Sequence, residues 1–195
     1  MSITTEYQKQ LKTMHEAPWG RTAVRYGAGY DVLTMLDRKA LMINSVLDFG
    51  CGEGTLGDFV HESQPGRVAW TDYDPGVPGL DRAPHGTFDL VVTCDVLEHV
   101  EPHLLDETIR ECFDLSDRLV YHNIPCFQAG TVFVDGPYVG QNLHLTIEGP
   151  EFWKARILHP EFQVMTVAIL EKRVRGETRT RVMITSERIK ERKKP

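Results

Sequence analysis

Ser45-Val46-Leu47-Asp48-Phe49-Gly50-Cys51-Gly52-Glu53-Gly54-Thr55-Leu56 is the stretch whose reading decides the fold. Val46, Leu47 and Phe49 suit a buried strand, and Asp48 interrupts them with a carboxylate. Gly50, Gly52 and Gly54 let the backbone turn sharply and leave no side chain between it and a ligand. A strand running into three alternate glycines and then a helix is the layout of a cofactor loop.

Outward from that loop, the chain alternates strands and helices. Upstream, Tyr7, Leu11 and Met14 recur at helical spacing until Pro18-Trp19-Gly20, and a second helix is expected from Tyr30 to Ala40. Trp19, Arg21 and Tyr26, between them, are candidate ligand contacts. Downstream, Leu56, Phe59 and Val60 mark a short helix broken by Pro65-Gly66, and Arg67 to Asp72 reads as the second strand. Residues 75–86 hold too much proline and glycine for a helix and strand, so a βα unit is expected to be reduced to a loop. Thr87 to Cys94 is a continuous apolar run of the doubly buried, parallel kind. Pro102 is placed to open a helix bearing Leu105, Ile109 and Cys112. Arg118 to Asn123 is the next strand, stopped by Ile124-Pro125. A glycine-rich stretch and a short helix from Pro150 follow. Phe162 to Glu171 and Thr178 to Ser186 close the chain as a hairpin.

The expected fold class is therefore α/β: a Rossmann-like, doubly wound, mostly parallel sheet with a C-terminal antiparallel hairpin and a shortened region after the second strand. One domain spans 1–195. Residues 1–43 supply helices over the site, 44–123 the cofactor-binding core, 124–160 an acceptor-side insertion, 161–187 the hairpin and 188–195 a basic tail.

At 195 residues, 41% hydrophobic and 26% charged, the composition is that of one globular domain and not of a disordered or fibrous chain. No apolar run approaches the roughly 20 residues of a membrane span, and the N-terminus lacks the pattern of a secretion signal. Cys51, Cys94, Cys112 and Cys126 form no Cys-x-x-Cys pair and read as free thiols, which with the absent signal points to the cytoplasm. The net charge of −6 is uneven: residues 172–195 carry +7 and the rest −13. Such a basic end can meet nucleic acid, or be a solvated terminus.

Gly52-x-Gly54-x-x-Gly57 formally matches the dinucleotide fingerprint, and Asp72 follows Gly52 at the distance of a ribose-binding acid. That match would make the chain a nicotinamide-dependent oxidoreductase. The register argues against it, because Gly50, not Gly52, stands at the strand end. Counted from Gly50, the stretch Val46 to Gly54 resembles the first motif of class I S-adenosylmethionine-dependent methyltransferases. Trp70-Thr71-Asp72-Tyr73-Asp74-Pro75 resembles the acidic end of their second strand. Phe88 to Cys94 with Asp95-Val96-Leu97-Glu98-His99-Val100 resembles their fourth strand and its Leu-Glu-His. The small size and truncated middle also look like methyltransferases carried by tailed bacteriophages.

The resemblance implies S-adenosyl-L-methionine as cofactor, held by Asp48, Gly50, Cys51, Gly52, Gly54, Thr55, Leu56, Asp72, Tyr73, Cys94 and Asp95. Its methionine part would lie on Asp48, Gly50 and Gly52, its ribose on Asp72 and its sulfonium near Cys94 and Asp95. The charges agree, since carboxylates attract a sulfonium and an ammonium. The shortened 75–87 segment leaves Asp81 as the candidate adenine contact. On the acceptor side, Asp95, Glu98 and His99 stand at i, i+3 and i+4, on one face of a helical turn. The catalytic candidates are Glu98, His99 and His144, with a histidine as metal-free general base. The alternative is a divalent cation held by Asp95, Glu98, His99 and His144, by resemblance to small-RNA terminal-ribose and ubiquinone-pathway O-methyltransferases. Asn123-Ile124-Pro125-Cys126 departs from the Asn-Pro-Pro-aromatic motif of DNA amino-methylating enzymes in both position and second residue. The acceptor expected is a hydroxyl of a small molecule or a nucleoside or nucleic acid. A non-catalytic cofactor-binding scaffold is the other class of answer.

Overall fold

The computed structural model describes residues 3–16, 27–134 and 136–189. The elements run α1 (Thr5–Glu16), α2 (Gly27–Asp37), β1 (Ser45–Phe49), α3 (Thr55–Ser63), β2 (Ala69–Tyr73), β3 (Phe88–Cys94), α4 (Leu105–Asp114), β4 (Ser116–Pro125), α5 (Pro150–Arg156), β5 (Phe162–Val174) and β6 (Glu177–Arg188). Pro18-Trp19-Gly20, Arg21, Tyr26 and most of the basic tail lie outside the described residues.

Six strands form one sheet in the order β2-β1-β3-β4-β6-β5. The first four are parallel, and β6 and β5 add antiparallel. Alternation along the strands sends side chains to two cores. Leu47, Phe49, Val91, Val120, Ile124 and Ile184 face Leu105, Ile109, Phe113 and Trp153 of α4 and α5. Val46, Leu90, Val92 and Tyr121 face Val32, Leu36, Leu56 and Val60 of α2 and α3. Helices thus cover both faces, the doubly wound arrangement the sequence predicts. The order turns back between β1 and β3, and that switch point opens a crevice at the strands' carboxyl ends.

Residues 74–87 contain neither helix nor strand. They fold back as turns in which the Asp74 N–H meets the Leu80 carbonyl at 3.0 Å.

Several boundaries differ from expectation, each for a local reason. β2 starts at Ala69, where pairing with Ser45 of β1 begins; the Arg67 backbone N–H still closes a turn on the Gln64 carbonyl at 3.2 Å. α2 ends at Asp37, and Lys39–Leu41 is a separate 3-10 turn closed by Met42 in the left-handed region. Pro102 precedes α4 in a turn in which the Leu104 N–H reaches the Glu101 carbonyl. β4 runs on to Pro125, where β6 continues the pairing that a parallel neighbour would have ended. The hairpin is longer than read, because Arg175 (φ 51°) and Gly176 (φ 89°) make a two-residue turn with positive φ at both positions, which matches strand twist.

His122 on β4 is wholly buried, 2.7 Å by its Nδ1 from the Thr93 hydroxyl. Burial pushes its imidazole down to about 3. The unfolded chain takes that proton near pH 6.5, so between the two values the unfolded state binds more protons and stability falls on acidification. The slope from this group reaches about 1.4 kcal/mol per pH unit. His122→Asn is expected to flatten the decline of the urea midpoint between pH 6.5 and pH 4 relative to wild type.

Candidate functional site

β1 delivers the glycine turn to the switch point. Gly50, Gly52 and Gly54 have φ of 85°, 55° and 76°. Absence of a side chain matters most at Gly50, where a Cβ would stand 2.6 Å from both methyls of Val96 in the loop after β3. The turn is anchored from below, with the N–H groups of Gly50 and Cys51 both donating to the Tyr73 carbonyl, at 2.7 and 3.1 Å. Asp74 is a structural acid that sequence reasoning did not single out. Its buried carboxylate accepts from the Gly52 N–H at 2.9 Å and the Gly76 N–H at 2.8 Å, pinning the turn to the shortened segment.

Asp48 and Asp72 are register partners on β1 and β2, so their side chains share one face beside the turn. Asp48 is buried, and its Oδ2 has no hydrogen-bond partner. Burial first, then Asp72 and Asp74, holds its carboxyl well above the usual range. A cation entering here relieves that repulsion. Asp72 is half-buried, and Trp70, another residue not foreseen, donates its indole N–H to Oδ1 at 2.8 Å and so fixes the carboxylate. Gly54 leaves room for it, since a Cβ there would lie 3.2 Å from Oδ2.

The other cofactor candidates divide by what they expose. Cys51 and Thr55 are half-buried at the turn. Leu56 and the ring of Tyr73 are core, leaving their backbones to the turn. Cys94 is buried at the end of β3, and burial raises its thiol. Asp81 lies 3.9 Å from Lys12 of α1.

Beyond β3 the chain does not form the helical turn that the spacing suggested. Asp95 has φ 58°, and only Leu97–His99 coil, as a 3-10 turn. Asp95 stands outside the close group that Glu98 and His99 join and takes a hydrogen bond from Arg181 of β6 at 2.5 Å. Arg181 also reaches the Asn123 side-chain oxygen at 3.1 Å. No signal in the sequence tied Arg181 to this site, because only the antiparallel return of β6 brings it there.

Glu98, His99 and His144 do come together, and they form the group of possible metal ligands found among the described residues. Glu98 is completely buried, and neither carboxylate oxygen has a hydrogen-bond partner. Its Oε1 stands 3.7 Å from His99 Nε2 and 3.9 Å from His144 Nε2. Each imidazole uses its Nδ1 on a backbone carbonyl, His99 on Leu143 at 2.9 Å and His144 on Phe127 at 2.5 Å. A carbonyl only accepts, so both Nδ1 carry hydrogen and a neutral Nε2 presents a lone pair. Burial pushes His144 down and Glu98 well up, with Asp95 adding to the latter.

The space around this cluster is framed by α1 and residues 127–134 and 136–146. Tyr7 packs with Phe133 and Leu143, and its hydroxyl donates to the His99 carbonyl. Buried Glu101 accepts from the Thr4 N–H and hydroxyl and from Tyr138. Phe127 stacks under Arg179 and Arg181, at 5.1 and 5.6 Å, and faces His144. A groove of about 480 Å³ lined by Asp117, Arg118, Glu187 and Arg188 lies at the opposite end of the sheet and holds no comparable cluster.

A doubly wound sheet with an antiparallel closing hairpin, a glycine turn at the switch point and an acid on the next strand define a class I S-adenosylmethionine-dependent methyltransferase. A model of the methyltransferase domain family matches residues 22–126, more than half of the sequence, and the chain belongs to that family. Among solved structures it is similar to the 1,6-didemethyltoxoflavin-N1-methyltransferase of Burkholderia thailandensis, at 16% identity and TM-score 0.59 over 97% of this chain and 92% of that one. It is also similar to the N-methyltransferase NodS of Bradyrhizobium japonicum, at 11% and 0.55 over 95% and 100%. Coclaurine N-methyltransferase follows at 12% and 0.56 over 96% and 80%. At such identities the likeness establishes the fold. All three were crystallised with S-adenosylhomocysteine, the first with 1,6-didemethyltoxoflavin and the last with N-methylheliamine. No curated protein matches the sequence.

Proposed function

We propose that the chain transfers the methyl group of S-adenosylmethionine to a hydroxyl oxygen of a small molecule held between Leu97–His99, α1 and residues 127–134 and 136–146. The observation that carries this reading is the pair of imidazole Nε2 lone pairs converging on the buried Glu98 carboxylate. Methyl transfer is an in-line displacement: the acceptor oxygen bonds to the methyl carbon, the sulfur–methyl bond breaks, and the electron pair stays on sulfur as a neutral thioether. The acceptor's proton goes to an imidazole Nε2. His144 suits this role because burial keeps it neutral at pH 7. The protein's other task is alignment, since positioned reactants react far faster than free ones.

The cofactor reading uses the glycine turn for close backbone approach, Asp48 for attraction toward the cationic end and Asp72 for the ribose hydroxyls. Losing a carboxylate that bonds two hydroxyls costs about 1.5–3 kcal/mol. Asp72→Ala is therefore expected to weaken S-adenosylhomocysteine binding by roughly 10–100-fold in a calorimetric titration.

A second reading is favoured by the same tautomers. Two Nε2 lone pairs and a carboxylate aimed at one point repel unless a proton or cation lies between them. Metal-ligating imidazoles usually donate their far N–H to a carboxylate or backbone carbonyl, as both of these do. Glu98, His99 and His144 would hold a divalent cation such as Mn²⁺, Fe²⁺ or Zn²⁺, without Asp95, which pairs with Arg181. Such an ion supplies a Lewis acid that lowers the pKa of the acceptor hydroxyl.

The test offers labelled S-adenosylmethionine to matched panels of phenol, alcohol and amine acceptors. Label in ether-linked products, lost in His144→Ala, supports the proposal. Label entering amines alone contradicts it.

A further inference from the structure

Among the described residues β5 is the outer strand of the sheet, bonded on one side to β6. From Gln163 through Arg173 every residue is exposed. Five of them are large and apolar: Val164 (41%), Met165 (51%), Val167 (39%), Ile169 (51%) and Leu170 (52%). An open edge presents a row of backbone donors and acceptors, and soluble proteins blunt it with charge, proline or brevity. β5 has 13 residues, and from Val164 to Leu170 it holds no charge, proline or glycine.

The bare surface is on both faces. Pairing with β6 puts Val167 and Ile169 on the side of Ile184 and Val182, and Thr166 and Leu170 on the side of Thr185 and Arg181. A docked helix would cover one of these faces. A strand added at the edge continues both.

We propose that β5 is the interface of a homodimer, pairing antiparallel with the β5 of a second copy about a twofold axis at Ala168 and joining two six-stranded sheets into one. The occupant is a second copy because the strand is self-complementary, as an isologous contact requires. About Ala168, Val167 meets Ile169 on one face and Thr166 meets Leu170 on the other, so apolar atoms cover apolar atoms. Toward the ends the basic Lys172 and Arg173 of each copy fall against the uncharged Val164 and Gln163 of its partner, while Glu161 stays with Arg188 of its own chain. The two Lys172 residues fall eight positions apart, about 27 Å. Parallel pairing would instead stack the basic ends on each other. The bulge between Val164 and Thr166 limits regular pairing to the centre.

The test is the mass of the full chain by sedimentation equilibrium at micromolar concentration. The proposal expects twice the 22.2 kDa of one chain. The exposed pair Val167→Lys/Ile169→Lys is expected to sediment at 22.2 kDa. Its S-adenosylhomocysteine affinity should stay within about twofold of wild type, as substitutions remote from a site do. Under mild oxidant Ala168→Cys should form a covalent dimer through its own copy, while wild type forms none. A wild-type monomer overturns the proposal, as does a dimer that survives the lysine pair. A monomer that binds anionic lipid vesicles and loses them with the lysine pair overturns it too, and assigns the strip to a membrane surface.

Discussion

Glu98→Gln is expected to melt above the wild-type protein in the presence of a chelator and to transfer methyl groups at least about 100-fold more slowly. The two effects share one cause. Glu98 is completely buried with no hydrogen-bond partner on either oxygen, and burial holds its carboxyl well above the ordinary range. A carboxyl whose folded pKa is raised makes the folded state bind the proton longer. Its cost is therefore absent below the unfolded value of about 4.3 and grows as pH rises above it. Glutamine removes that ionisation while keeping the shape. The stabilisation should be largest at neutral pH and vanish below about pH 4. Removing the cost of ionising a buried carboxylate without a hydrogen-bond partner is worth at least about 1 kcal/mol. At this chain length that raises the melting temperature by about 2–4 °C. The loss of transfer follows because a neutral amide neither holds a cation nor stabilises a protonated imidazole at His99 or His144. A variant that melts lower, or one that transfers at the wild-type rate, contradicts the role given to Glu98.

Gly50→Ala is expected to lose S-adenosylhomocysteine binding by at least about 30-fold, from two strains at the turn. A non-glycine residue in the left-handed region costs about 1–2 kcal/mol. The new Cβ would also lie 2.6 Å from both Val96 methyls, so the loops after β1 and β3 must part. Those loops meet at the switch point where the cofactor belongs, and moving them about 1 Å weakens every contact it makes. Val96→Ala in the same chain removes the two 2.6 Å contacts, leaving a Cβ at 3.2 Å, but not the backbone strain. It should restore part of the affinity, which separates the two contributions in one calorimetric series. Wild-type affinity in Gly50→Ala alone would falsify the assignment of this turn.

Most of the architecture was legible because it is written in local periodicity. Alternating apolar residues mark the strands, glycines mark the turn after β1, and the proline- and glycine-rich 75–86 segment announces its own lack of a helix. Asp72 was legible because a strand–turn–helix–strand unit fixes its spacing from the glycines. What stayed hidden depends on long-range return of the chain. Arg181 reaches Asp95 only because β6 runs antiparallel beside β4. Asp74 supports the Gly52 N–H from the far side of a turn whose path no spacing dictates. The i, i+3, i+4 reading of Asp95, Glu98 and His99 failed at one dihedral, the left-handed Asp95, which aspartate tolerates better than most residues. The closeness of Glu98 to His144, 46 positions on, had no geometric warrant in the sequence.

The central claim is that the crevice after β1 and β2 holds S-adenosylmethionine. Calorimetric titration of S-adenosylhomocysteine into the wild-type chain and Asp72→Ala tests it most directly. One saturable site per chain, weakened at least tenfold in the variant, is the predicted result. No heat of binding in the wild-type protein, or equal affinity in both, would contradict it.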